Sequence, residues 1–366
     1  MKKFPLILSL ILIISLLTGC AGTPVVYYTN CTCPVDAHEE AVVDVPATIP
    51  SYEETPAQTE GALKTGLAIS TSLKKSADAT AEAEGKADYD VTMVAVLVDD
   101  NGVIQSCIID GIASSVNFDA TGAITTDLTV APQTKNELGE NYGMVAWGKA
   151  IAEWDAQAKA LADFAVGKTV EQLRSGAVSE SGYAPQGTDL ASKATIYLGG
   201  YVNTIEAAVA NAKHLGAQSG DVLKMATTTK IDSSAAAAAE AAGNAQLDAD
   251  VVALTMNGET ITSCYLDSVQ AKVAFDAAGA ITSDVTVPVA TKNELGENYG
   301  MVAWGKAIAE WDAQAASFAA YVTGKTADEV AGINITEATK PADADLAASV
   351  TISVIGFMNL ITKAAK

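Results

Sequence analysis

Residues 134–158, TKNELGENYGMVAWGKAIAEWDAQA, recur without a change at residues 291–315. Weaker identity extends from this block in both directions. FDATGAIT (118–125) answers FDAAGAIT (275–282), and TDLASKATI (188–196) answers ADLAASVTI (344–352). The chain therefore carries one unit twice, over about 61–216 and 220–366. Each copy is long enough to bury a hydrophobic core of its own, which predicts two separate beads.

Within a copy, VTMVAVLVDDNGVIQSCIID reads as two strands joined at Asp100-Asn101-Gly102, and the second copy keeps Asn257-Gly258 at its turn. Asn-Gly between apolar runs is a strong hairpin signal. KTGLAISTSL ahead of the hairpin and GAITTDLTV after it also read as strands, which predicts an antiparallel sheet. Trp147, Ile151, Trp154, Ala158 and Leu161 fall at spacings of four and three, the apolar stripe of one long helix ending at Gly167. Thr169 with Gln172, and Thr326 with Glu329, have capping-box spacing for a short helix. IYLGGYVNTIEAAVANA and ISVIGFMNLITKAAK close the copies as final helices. The expected fold class is α+β, two tandem copies of an antiparallel sheet packed with helices.

The chain opens MKKFPLILSLILIISLLTGCAG, two lysines followed by an apolar run from Phe4 to Leu17 and then Thr18-Gly19-Cys20. About 14 apolar residues are too few to span a bilayer comfortably. Leu17-Thr18-Gly19-Cys20 resembles the lipobox of bacterial lipoprotein signal peptides. That resemblance implies removal of residues 1–19, lipidation of Cys20, and anchoring at the extracytoplasmic face of the cell membrane. Residues 20–60, rich in Pro, Thr, Glu and Ala, then read as a flexible tether. Without Lys2 and Lys3, 20 basic residues face 44 acidic ones. Such a surface repels nucleic acid and anionic lipid.

Two histidines, His38 and His214, give a histidine triad or a multi-histidine metal site little material. Cys31 and Cys33 admit two readings, a metal site with His38 or exposed thiols, and no metal is assigned. Cys107 and Cys264 hold equivalent places, either as small buried strand residues or as an inter-repeat disulfide. Gly167-Lys168-Thr169 and Gly324-Lys325-Thr326 are not phosphate loops, because Ala162 and Ala319 stand where that motif needs glycine. No nucleophile–base pair suggests a hydrolase. Trp147, Trp154, Trp304 and Trp311 read as core anchors, with flavin stacking as the other reading.

The segment Asp189-Leu190-Ala191-Ser192-Lys193-Ala194-Thr195 resembles the flavinylation motif of FMN-binding domain proteins, in which Asp, two variable residues, Ser or Thr, Gly, Ala and a final Thr or Ser carry the cofactor. The resemblance implies that a flavin transferase joins FMN to Thr195 through a phosphoester, with Asp189 as the motif aspartate and Ser192 as the intermediate hydroxyl. Lys193 replaces the family glycine. In the second copy Asp345 and Thr351 keep their places, while Ala348, Ser349 and Val350 depart. The implied function is a membrane-anchored electron carrier working with redox partner proteins. The alternative is a non-catalytic surface or binding lipoprotein whose copies have lost the cofactor.

Overall fold

The computed structural model describes residues 61–366, so the readings placed on Cys20, Cys31, Cys33 and His38 lie outside the described residues. The first copy begins with a three-stranded antiparallel sheet, β1 (Lys64–Ser72), β2 (Gly85–Val98) and β3 (Ile104–Phe118), in that spatial order. Helices α1 (Lys135–Leu138), α2 (Met144–Gly148), α3 (Trp154–Ala165), α4 (Val170–Ala177), α5 (Asp189–Lys193) and α6 (Gly199–Ala210) follow. The second copy repeats the plan with β4 (Val222–Lys230), β5 (Gly243–Asn257) and β6 (Thr260–Phe275), ordered β4-β5-β6. Its helices are α7 (Lys292–Leu295), α8 (Met301–Gly305), α9 (Trp311–Val322), α10 (Ala327–Ala331), α11 (Ala344–Ala347) and α12 (Ile355–Ala365). The α+β class and the two sheets are as the sequence predicts.

Strand alternation sorts the apolar residues into three cores. One face of the first sheet, with Leu67, Tyr89, Met93 and Ile112, shares a single cluster with Leu223, Leu247, Val251 and Val269 of the second. The opposite faces are covered by helices. Val94 and Val96 meet Leu161 and Ile205, and Val252 and Leu254 meet Phe318 and Leu360. The layers therefore run helix, sheet, sheet, helix. The expectation of two independent beads is corrected: each copy has its own outer core, but the central core belongs to both.

Polar contacts lock this arrangement. Thr65 Oγ1 lies 2.6 Å from Ser263 Oγ, both fully buried, and Thr255 Oγ1 lies 2.7 Å from the same hydroxyl. The Ala79 amide donates to the Gly279 carbonyl at 2.8 Å, and reciprocally the Ala237 amide donates to Gly122 at 2.8 Å. The two FDA-x-GAIT turns are thus gripped by the opposite copy.

Two further expectations need correction. GAITTDLTV contributes only an isolated bridge, Phe118 to Ile124, and no fourth strand. The Asp127 carboxylate accepts from both the amide and hydroxyl of Thr129 (3.0 and 2.7 Å), so a local turn takes the donor that a ladder would use. The long helix is also broken. Lys149 adopts φ 51°, ending α2, and α3 starts only at Trp154.

Candidate functional site

The identical block builds the same device in both copies. Thr134 and Glu137 form a capping box, as do Thr291 and Glu294. Lys135 lies with its ammonium 5.5 Å from the Tyr142 ring centre and 4.9 Å from that of Trp154, and Lys292 sits likewise over Tyr299 and Trp311 at 5.4 and 4.9 Å. Burial holds the Lys135 ammonium below the ordinary lysine range, against the opposing pull of Asp90.

The broken helix follows from the same block. The Glu153 carboxylate accepts from the amides of Met144 (2.8 Å) and Val145 (2.9 Å), capping α2 from its far side, and Glu310 does the same for Met301 and Val302. Folding back in this way requires the left-handed turn at Lys149 and Lys306. Trp147 and Trp304 are consequently 87% and 88% exposed, while Trp154 and Trp311 are 2% and 6% exposed. The core-anchor reading therefore fails for Trp147 and Trp304 and stands for the other two. Each exposed indole lies against a glycine, and a Cβ at Gly143 or Gly300 would come within 2.3 Å of it. Positive φ at these glycines, 78° and 81°, demands the same residue.

Gln157, fully buried, joins this device to the segment resembling the flavinylation motif. Its Nε2 donates to the Ala152 carbonyl at 2.8 Å. Its Oε1 accepts from the Thr195 amide (2.8 Å), the Thr195 hydroxyl (3.2 Å) and the Ile196 amide (3.2 Å). Gln314 repeats the clamp, accepting from the Thr351 amide at 2.8 Å and its hydroxyl at 3.2 Å. Thr195 is exposed and Thr351 half-buried. Sequence reading missed Gln157 and Gln314. Their signal was present, a glutamine within a helix otherwise facing the core.

The other motif residues are not brought together with Thr195. The exposed Asp189 carboxylate pairs with Lys193 at 2.7 Å along α5, and the Ser192 hydroxyl donates to the Asp189 carbonyl at 2.6 Å. Lys193 sits in the last turn of α5, where a side chain is no obstacle. Thr188 and Asp343 cap α5 and α11, with Asp189 and Asp345 in the first turns. Leu198 holds the N-cap position of the final helix α6.

Two concavities flank the Thr195 segment. A groove of about 670 Å³ between α3 and α5 is lined by Ile151, Ala156, Lys159, Asp189, Ser192 and Lys193. A second, of about 290 Å³, lies against Tyr197, Gly200 and Tyr201 and includes Asp90.

Cys107 and Cys264 are free thiols on the helix-facing sides of different sheets, which corrects the disulfide reading; Cys264 is a buried strand residue and Cys107 a half-buried one. Burial pushes both thiols up to about 12. Among the described residues no group of His, Cys, Asp and Glu has the geometry to hold a metal ion, and no helix is long and apolar enough to cross a membrane. The chain matches no family model, no curated protein and no solved structure.

Proposed function

We propose that this chain is a lipid-anchored extracytoplasmic flavoprotein that carries electrons on FMN linked to Thr195, with Thr351 as a second attachment site. The observation that carries the reading is the clamp. Although the intervening motif residues differ between copies, Gln157 and Gln314 hold the two threonines alike. The Thr195 hydroxyl donates a hydrogen bond to Gln157, which would orient its oxygen. The flavin transferase would form the Thr195 Oγ1–phosphorus bond as the phosphoanhydride bond of a flavin dinucleotide breaks, with the mononucleotide leaving and the hydroxyl proton passing to a base of the transferase. The α3–α5 groove, about 670 Å³, is within the size range of cofactor sites, about 300–1,000 Å³, and its rim carries the ion pairs Lys159–Asp163 and Lys193–Asp189. FMN, when bound, supplies the electron transfer, while the chain supplies attachment and position. A covalent link and an anchor at Cys20 would together keep the cofactor at the membrane.

Co-expression with a flavin transferase tests the proposal through intact mass and in-gel flavin fluorescence. Wild type is expected to gain FMN, and Thr195→Ala to lose the flavin borne on that site. A Thr195→Ala chain with unchanged flavin overturns the assignment of the attachment residue.

The exposed pair Trp147 and Trp304 favours a second reading, a binding lipoprotein without cofactor. A folded wild-type chain that never acquires flavin in the same experiment selects it.

A further inference from the structure

A cavity of about 470 Å³ opens where the two copies join, within the size range of small-molecule sites, about 300–1,000 Å³. One wall is α9, presenting Asp312, Ala316 and Ala320, and the floor is β6 with Tyr265. The remaining wall is Lys213-His214-Leu215, the segment that follows α6 at the end of the first copy. His214 Nε2 lies 3.0 Å from Asp100 Oδ1 of the first copy, tying this wall in place.

The cavity arises where the copies diverge. Immediately after the identical block, Lys159 and Asp163 of α3 become Ala316 and Ala320 of α9. In the first copy that lysine and aspartate pair at 2.7 Å across the helix surface. Replacing both long side chains by methyl groups clears the same surface in the second copy and makes it apolar.

The walls carry opposite charges, Lys213 and Asp312. The Lys213 ammonium lies 5.3 Å from the Tyr265 ring centre and makes no salt bridge among the described residues. Asp312 likewise makes no salt bridge there, although it lines the same cavity. A cation and a carboxylate lining one largely apolar cavity are complementary to a zwitterion with an apolar body. A simple anion would be repelled by a chain of formal charge −22, whereas a zwitterion has no net charge to repel.

We propose that this junction cavity binds a free apolar α-amino acid, its carboxylate on Lys213, its ammonium on Asp312, and its side chain against Ala316 and Ala320. The site is independent of flavin attachment, so binding is expected to persist in a Thr195→Ala, Thr351→Ala chain.

Isothermal titration of the full chain with L-phenylalanine and L-leucine tests the proposal. Saturable binding of at least one of them, one per chain, is expected. N-Acetyl-L-phenylalanine, which lacks the ammonium, and phenethylamine, which lacks the carboxylate, should each bind about tenfold or more weaker, the loss of one ion-pair contact. Lys213→Met and Asp312→Asn should reproduce those losses. Ala316→Lys with Ala320→Asp, installing the first copy's pair, should abolish binding at an unchanged unfolding midpoint. Absence of saturable binding by both amino acids overturns the proposal, as does binding that survives the double substitution in the cavity.

Discussion

The rings of Phe118 and Phe275 stack face to face, with centroids 4.0 Å apart and planes 3° from parallel. They are equivalent residues of the two copies, so one position in the duplicated unit packs on itself. Each ring also covers a glycine across its own sheet, Gly85 paired with Phe118 and Gly243 with Phe275. A Cβ at either glycine would sit 2.4 Å from the ring. Phe118→Ala and Phe275→Ala should each destabilise by about 3–5 kcal/mol. Because the two share one contact, the double mutant should fall short of the sum by about 1 kcal/mol, read by urea unfolding of all four chains. Strict additivity would mean that the copies do not depend on each other through this pair.

Tyr89 is fully buried in the central core, and its hydroxyl has no hydrogen-bond partner. Burial raises its pKa, keeping the phenol neutral. The residue in its place in the second sheet is Leu247, also fully buried. Tyr89→Phe removes an unsatisfied polar group and leaves the ring, so it should stabilise the chain by about 1 kcal/mol. A midpoint lowered by this change would show that the hydroxyl has a partner in solution.

The tryptophans should divide as their surroundings do. Trp154 packs in the outer core and donates from Nε1 to the Tyr201 hydroxyl at 2.9 Å, so Trp154→Ala should destabilise by about 3–5 kcal/mol. Trp147→Ala and Trp304→Ala should each change stability by less than about 0.5 kcal/mol. Thermal unfolding with fluorescence detection distinguishes the two classes.

Asp267 and Asp110 occupy equivalent places at the edge of the central core, and burial raises both carboxyls. For Asp267 the value rises from 3.8 to about 6, although the Ser268 and Asn293 amides and the Thr291 hydroxyl oppose the shift. A carboxyl with a raised folded pKa binds its proton more tightly in the native state. Its contribution is therefore full below the unfolded value and lost as pH rises from about 4 to about 6. The loss is about 3 kcal/mol by the conversion of two units. Asp267→Asn should cancel that fall, so the stability difference between mutant and wild type should grow in the mutant's favour across this window and stay constant above it. A difference independent of pH would place the folded pKa near its ordinary value.

The hairpins, capping boxes and final helices were legible because each rests on local chemistry. Asn257-Gly258 sets a turn and Thr169 caps a helix wherever the copy sits. The shared core was less visible, since alternation within one strand does not say what covers either face. The clue was β2, where Met93 through Val98 are all buried, three on each face. The helix break could not be read from periodicity, because MVAWGKAIAEW keeps helical spacing throughout. It is made by the Glu153 side chain reaching back nine residues to Met144, an interaction that competes with continuous helix. At the candidate site the threonine positions were legible from the motif, but their partner was not, because Gln157 lies 38 residues away.

That partner supplies the last prediction. Gln157 satisfies the Thr195 and Ile196 amides and the Ala152 carbonyl while fully buried, so Gln157→Ala leaves several backbone groups without partners. A loss of about 2–3 kcal/mol is expected from this alone. Gln157→Glu keeps the acceptor but removes the donor to Ala152 and buries a charge, so it should not rescue stability at neutral pH. If the clamp positions the attachment oxygen, peptide mapping after co-expression with a flavin transferase should show flavin lost from Thr195 and kept on Thr351 in the Gln157→Ala chain. Gln314→Ala should show the reverse. Equal loss from both threonines in either single mutant would mean that the clamps act only through the stability of the whole chain.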